Sequence, residues 1–131
     1  MRSFTFNPIE ATPVVSGILS GPVGSIRITL VFDTGAVLTQ IHAPTLAMVG
    51  YGLNHEIKKA VMVGAGGERH EGTLLKCGKI VTLGQKIENF ALGAFDFSEL
   101  AESGIDGLLG WDIVKQLHLE MDGPKGLLKV F

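Results

Sequence analysis

Cysteine, charge and long apolar runs are all scarce in this chain, and each scarcity removes a class of protein. Cys77 is the only cysteine, so no internal disulfide can form, and in the setting LLKCGKI its thiol is expected to pack as a small apolar group. Charged residues amount to 18%, with 11 basic against 13 acidic side chains and a formal net charge of -2. The Lys and Arg residues are scattered, which leaves no basic field for nucleic-acid phosphates. No apolar run approaches the ~18 residues of a membrane span, and the leading stretch MRSFTFNPIEATP lacks the continuous apolar segment of a signal peptide. These absences predict a soluble, cytoplasmic chain without nucleic-acid or membrane partners.

Glycine and apolar residues are abundant instead: 18 glycines and 46% hydrophobic residues in a chain of 131. Tight turns between strands use that composition better than long helices do, and the length suits one domain. The expectation is a single, mostly β domain over residues 1–131 with one or two short helices. Residues 1–12 could serve as a dimer-forming strand, an arm or a removable extension.

TPVVSGILSG and SIRITLVF flank a Gly/Pro cluster and predict a hairpin, with Ile26, Ile28 and Leu30 alternating against Arg27 and Thr29. APTLAMVGYGL predicts a short helix with Pro44 in its first turn. EIKKAVMVGAGGERHEGTLLKCGKI predicts two strands around a flexible tip at Gly64, Ala65, Gly66 and Gly67. KIVTLGQKIENFALGAF predicts a hairpin turning at Gly84-Gln85, and DGPKG marks a closing one.

One carboxylate stands out. In LVFDTGAVLTQI, Asp33 follows an apolar run and precedes a β-prone VLTQI, which places the turn at Asp33-Thr34-Gly35 inside the sheet. An ordinary Asp-Gly turn is one explanation, and three residues alone carry little weight. A buried, unpaired carboxylate is costly, however, and the cost falls if a second carboxylate shares its proton. Such a pair has one ionised member that can take a proton from water and one protonated member that can donate to a carbonyl, the requirements of amide hydrolysis without a covalent intermediate. Only one Asp-Thr-Gly is present; Asp106 and Asp122 precede glycine outside that pattern. A twofold dimer supplies the second Asp33 most simply.

Two ordered motifs, VFDTGAVLTQI and GIDGLLGWDIV, resemble the retropepsin-like aspartic proteases, and more closely their bacterial and cellular single-domain members than the viral enzymes. The likeness spans roughly residues 13 to 131. It implies a closed acid-protease-like β-barrel, a homodimer acting on peptide or protein substrates, and no cofactor or metal. By the same resemblance Asp33 is the catalytic carboxylate. Thr34 bonds across the dimer axis, Gly35 allows close backbone approach, and Leu108, Leu109 and Gly110 pack beneath the loop. Residues 60 to 76 form a flap, with Gly64, Ala65, Gly66 and Gly67 at or near its tip.

Viral enzymes usually carry an ion pair where this chain has Val37 and Trp111; here the two are expected to pack on each other. Ala36, where two-lobed relatives often have a hydroxyl, implies a mildly acidic working pH. The alternative function is a catalytically silent dimerisation or peptide-binding module of the same fold. An aspartyl-phosphate enzyme ranks lower, because no Asp-Asp pair for magnesium and no alternating β/α pattern are present. The partial glycine motif at Gly64 and Gly66 lacks a following helix, and His42, His55, His70 and His118 lie far apart in sequence.

Overall fold

The computed structural model describes Met1–Phe131 in full. Its strands are β1 (Arg2–Thr5), β2 (Val14–Gly21), β3 (Gly24–Phe32), β4 (Gln40–His42), β5 (Glu56–Val63), β6 (Arg69–Thr82), β7 (Gln85–Phe95), β8 (Gly107–Leu109), β9 (Leu119–Asp122) and β10 (Leu127–Val130). Three short helices intervene: α1 (Ala43–Met48), α2 (Ser98–Glu102) and α3 (Trp111–Val114). No helix is long and apolar enough to cross a membrane.

Period-two patterning determines which faces turn inward. Val15, Gly17 and Leu19 of β2 point into the core while Ser16 and Ile18 face out, and Ile28 and Leu30 of β3 meet them from across the hairpin. Strands follow the order β2-β3-β8-β4-β7-β6, and a further β2–β6 pairing closes these six into a barrel. Closure removes the free edges that an open sheet would leave. β5 lies outside the ring, hydrogen-bonded to β6 alone.

Leu19, Ile28, Leu30, Ile41, Ile80, Leu92 and Leu109 fill the interior, each worth about 1.5–3 kcal/mol when fully withdrawn from water. β1, β10 and β9 form a separate three-stranded antiparallel sheet. Leu128 and Val130 from that sheet join the same core. Residues 2–5 pair with β10 of their own chain, Arg2 opposite Val130 and Thr5 opposite Leu127.

Several local details depart from the sequence reading. The helices number three because the connector SELAE closes a helical turn of its own. β4 is shorter than VLTQIH, since Val37 and Leu38 remain in the loop after Asp33. The β6–β7 turn falls at Leu83-Gly84, one residue earlier than expected, with φ of 49° and 71°. Both values suit the two-residue turn that matches strand twist. The unfavourable φ of Leu83 is offset by burial of its side chain in the core.

Cys77 is wholly buried beside the Tyr51 hydroxyl, and burial pushes its thiol pKa up. A buried, protonated thiol is a poor nucleophile. Native protein is therefore expected to react with a thiol reagent at least ~100-fold more slowly than protein in denaturant, where opening is complete. Immediate stoichiometric labelling without denaturant would contradict this burial.

Candidate active site

The loop carrying Asp33 is set by a three-strand crossing. β3 runs parallel to β8, with Leu30, Val31 and Phe32 opposite Gly107, Leu108 and Leu109. β8 then pairs antiparallel with β4, Leu108 opposite Gln40. The chain thus leaves β3, turns through residues 33–36 and returns on the far side of β8. Glycine at 110 permits this, because a side chain there would run into the backbone of Leu38.

Backbone bonds fix the turn. Asp33 N–H donates to the Leu109 carbonyl at 3.0 Å, Ala36 N–H to the Asp33 carbonyl at 3.2 Å, and Trp111 N–H to the Ala36 carbonyl at 2.7 Å. The Asp33 carboxylate accepts a bond from Gly35 N–H at 2.9 Å through Oδ1. Contrary to the expectation of a buried carboxylate, Asp33 is only partly buried, with Thr34 and Gly35 exposed beside it. The loop lifts it from the strand end to the barrel mouth.

Two other aspartates hold this arrangement from below. Asp112 Oδ1 accepts from Thr39 N–H at 2.9 Å, Thr39 Oγ1 at 2.8 Å and Ile113 N–H at 2.9 Å, while Thr39 Oγ1 accepts from Gly110 N–H at 3.0 Å. Asp106 Oδ2 accepts from Thr29 N–H at 2.8 Å, and its Oδ1 accepts from Thr45 Oγ1 at 3.3 Å. Neither role emerged from the sequence. A signal was present for the first: a threonine amid apolar residues just before β4, and an aspartate in the first turn after Gly110.

A cleft of about 510 Å³ opens above the loop. Asp33, Gly35, Ala36 and Leu108 line it on the loop side, and Ala60 to Val63 of β5 with the adjoining Gly64 line it on the hairpin side. β5 and β6 form an antiparallel hairpin. Its tip is closed by bonds from Gly64 N–H to the Glu68 carbonyl at 2.9 Å and from Gly67 N–H to the Gly64 carbonyl at 3.0 Å.

No protein-family model matches the sequence, and no curated protein matches it. Among solved structures it is similar to a retropepsin-like aspartic protease from Rickettsia conorii, with a TM-score of 0.68 over 100% of this chain and 99% of that one, at 16% identity. The chain has the retropepsin-like fold.

Within that retropepsin-like fold the anticipated residues separate into groups. Asp33, Gly35, Ala36, Leu108 and Gly64 share the cleft. Leu109 is buried beneath the loop, Gly110 abuts Leu38, and Thr34 is exposed outside the cleft lining. Ala65, Gly66 and Gly67 form the hairpin tip beyond the cleft wall. The packing expected between Val37 and Trp111 is not a buried joint, because Val37 is 79% exposed and Trp111 48%. Backbone bonds join those segments, with Asp112 N–H donating to the Val37 carbonyl at 3.3 Å. His42 and His55 use Nδ1 to accept from Phe97 N–H at 2.8 Å and Gly52 N–H at 3.1 Å. No group of three His, Cys, Asp or Glu side chains is positioned to hold a metal ion.

Proposed function

We propose that this chain is a cytoplasmic aspartic endopeptidase that works as a homodimer, with one Asp33 from each subunit at the twofold axis. The observation that carries the reading is the shared cleft: in a retropepsin-like fold, the Asp33 carboxylate faces a hairpin strand across a space of about 510 Å³. Each chain offers one such carboxylate, so the acid–base pair needs a second copy. The exposed Thr34 and Gly35, and the exposed apolar surfaces of Val37 and Trp111, lie around the same loop and suit contact with that copy.

In the dimer the two Asp33 carboxyls share one proton. The ionised member takes a proton from a water molecule, whose oxygen attacks the scissile carbonyl carbon. The protonated member donates to the carbonyl oxygen, giving a neutral diol. On collapse of the diol, the carboxyl that took the water proton gives it to the amine nitrogen, the other carboxylate takes a proton from a diol hydroxyl, and the C–N bond breaks to leave an amine, a carboxylic acid and the pair sharing one proton again. Thr34 would bond across the axis, and Gly35 would let substrate approach the loop backbone. The β5–β6 hairpin, tipped by Gly64, Ala65, Gly66 and Gly67, would close over the peptide and exclude bulk water.

The shared pair makes activity depend on concentration. Specific activity per chain is expected to fall about 7-fold from its fully dimeric value when the protein is diluted tenfold below its dimer dissociation constant, and further at greater dilution. Sedimentation velocity over the same range, near neutral and at mildly acidic pH, supplies that constant. Activity per chain that stays constant in a sample sedimenting only as monomer would rule out the shared pair.

A further inference from the structure

Asp33 and Gln40 are the only polar side chains among the 15 residues lining the cleft; the others are apolar or glycine. Gln40 is 8% exposed, and its Oε1 is buried with no hydrogen-bond partner. Buried polar groups are normally paired, and an unpaired carbonyl is expensive to maintain. The position does not require an amide for packing: β4 is buried throughout, and leucine or methionine would fill the wall. Room for the long side chain comes from Gly93 on the adjacent strand, where a Cβ would stand 3.1 Å from Gln40 Cγ.

We propose that Gln40 is a specificity-determining residue that recognises a carboxamide side chain, Asn or Gln, on the peptide substrate. The inference rests on the protease reading of the same cleft. The wall around Gln40 is apolar and the only charged group lining the cleft is Asp33, which the reaction occupies, so a charged substrate side chain would be desolvated beside Gln40 without a counter-charge of its own. A hydroxyl donates and accepts through a single atom and meets one end of an amide at a time, whereas a carboxamide carries its donor and acceptor on separate atoms and can pair with both ends together. A half-turn of the terminal torsion exchanges the two ends of Gln40, so either its carbonyl or its NH₂ group can face the ligand. Because Gln40 and Asp33 share one cleft, the recognised side chain lies close to the scissile bond.

The test is a positional peptide library cleaved by the wild-type chain and by Gln40→Met, with Gln40→Leu as a second variant and thermal unfolding to check the fold. Wild type should prefer Gln or Asn over Met at one position by about 10- to 100-fold in kcat/KM. Both variants should erase or reverse that preference at that position alone, cleaving the Met peptide at least as well as wild type does. A wild type indifferent to carboxamides, or a preference unchanged in folded variants, overturns the proposal.

Failure of the protease reading is distinguishable. If wild type cleaves nothing, the Asp33→Asn chain is used to capture peptides from the same library. Enrichment of carboxamide peptides that disappears on adding Gln40→Met supports the role of Gln40 without catalysis. Absence of enrichment overturns it.

Discussion

Asp33→Asn is expected to abolish peptide hydrolysis, lowering kcat by at least about 10²–10⁴-fold, while leaving the fold and the dimer in place. The substitution is nearly isosteric, and the asparagine oxygen can still accept the bond that Gly35 N–H gives to Oδ1 at 2.9 Å. Asp33 is partly exposed at the barrel mouth, so loss of its charge removes no buried ion pair. The amide cannot take a proton from water near neutral pH, nor act as the carboxylic acid partner. Both chemical roles vanish together. A fluorogenic peptide assay, with circular dichroism and sedimentation as controls, measures the effect. Equal product from variant and wild type would exclude an aspartic protease and leave a peptide-binding or dimerisation module of the same fold.

The barrel was legible because its cause is local. Alternation in SIRITL and the glycine-bearing turns specify strands whose inward faces agree with one another, and the closing hairpin at DGPKG forms between β9 and β10 as expected. The Asp33 turn was legible for the same reason: an acidic residue and a glycine interrupt an apolar run. The exposure of Asp33 was not. It depends on the crossing of β3, β8 and β4, contacts between residues more than 60 positions apart in sequence, and no local pattern reports how far a loop rises above a sheet. The exposure of Val37 was hidden for a related reason. An apolar residue suggests burial, yet it stands 79% exposed at the mouth, as apolar surface often does. Gln40 escaped notice because a glutamine near a strand end reads as solvated until the neighbouring strands are known.

Asp112→Ala carries the largest expected cost in stability, about 3 kcal/mol, although the residue does not line the cleft. Its Oδ1 accepts three bonds, two of them from Thr39, which is 0% exposed. Removing the carboxylate leaves the N–H of the fully buried Thr39 without its acceptor, and a buried donor left unpaired costs about 1–3 kcal/mol. The Thr39 hydroxyl then loses the acceptor that orients it toward Gly110 N–H. Asp112→Asn keeps an acceptor oxygen and should lose less, about 1 kcal/mol. Thr39→Val removes the hydroxyl and strands Gly110 N–H, costing about 1–3 kcal/mol. Because all three sites share one network, the double variant Asp112→Ala/Thr39→Val should lose less than the sum of the single losses. Urea unfolding of the four chains measures this. The same bracket ties the start of β4 and the first turn of α3 to the segment that receives Asp33, so its loss also loosens the loop. Misplacement by about 1 Å can cost roughly 100-fold in rate, and kcat should fall even at temperatures where Asp112→Ala remains folded. A variant within about 0.5 kcal/mol of wild type, the range of ordinary surface substitutions, would mean that the backbone crossing of β3, β8 and β4 holds the loop without the carboxylate.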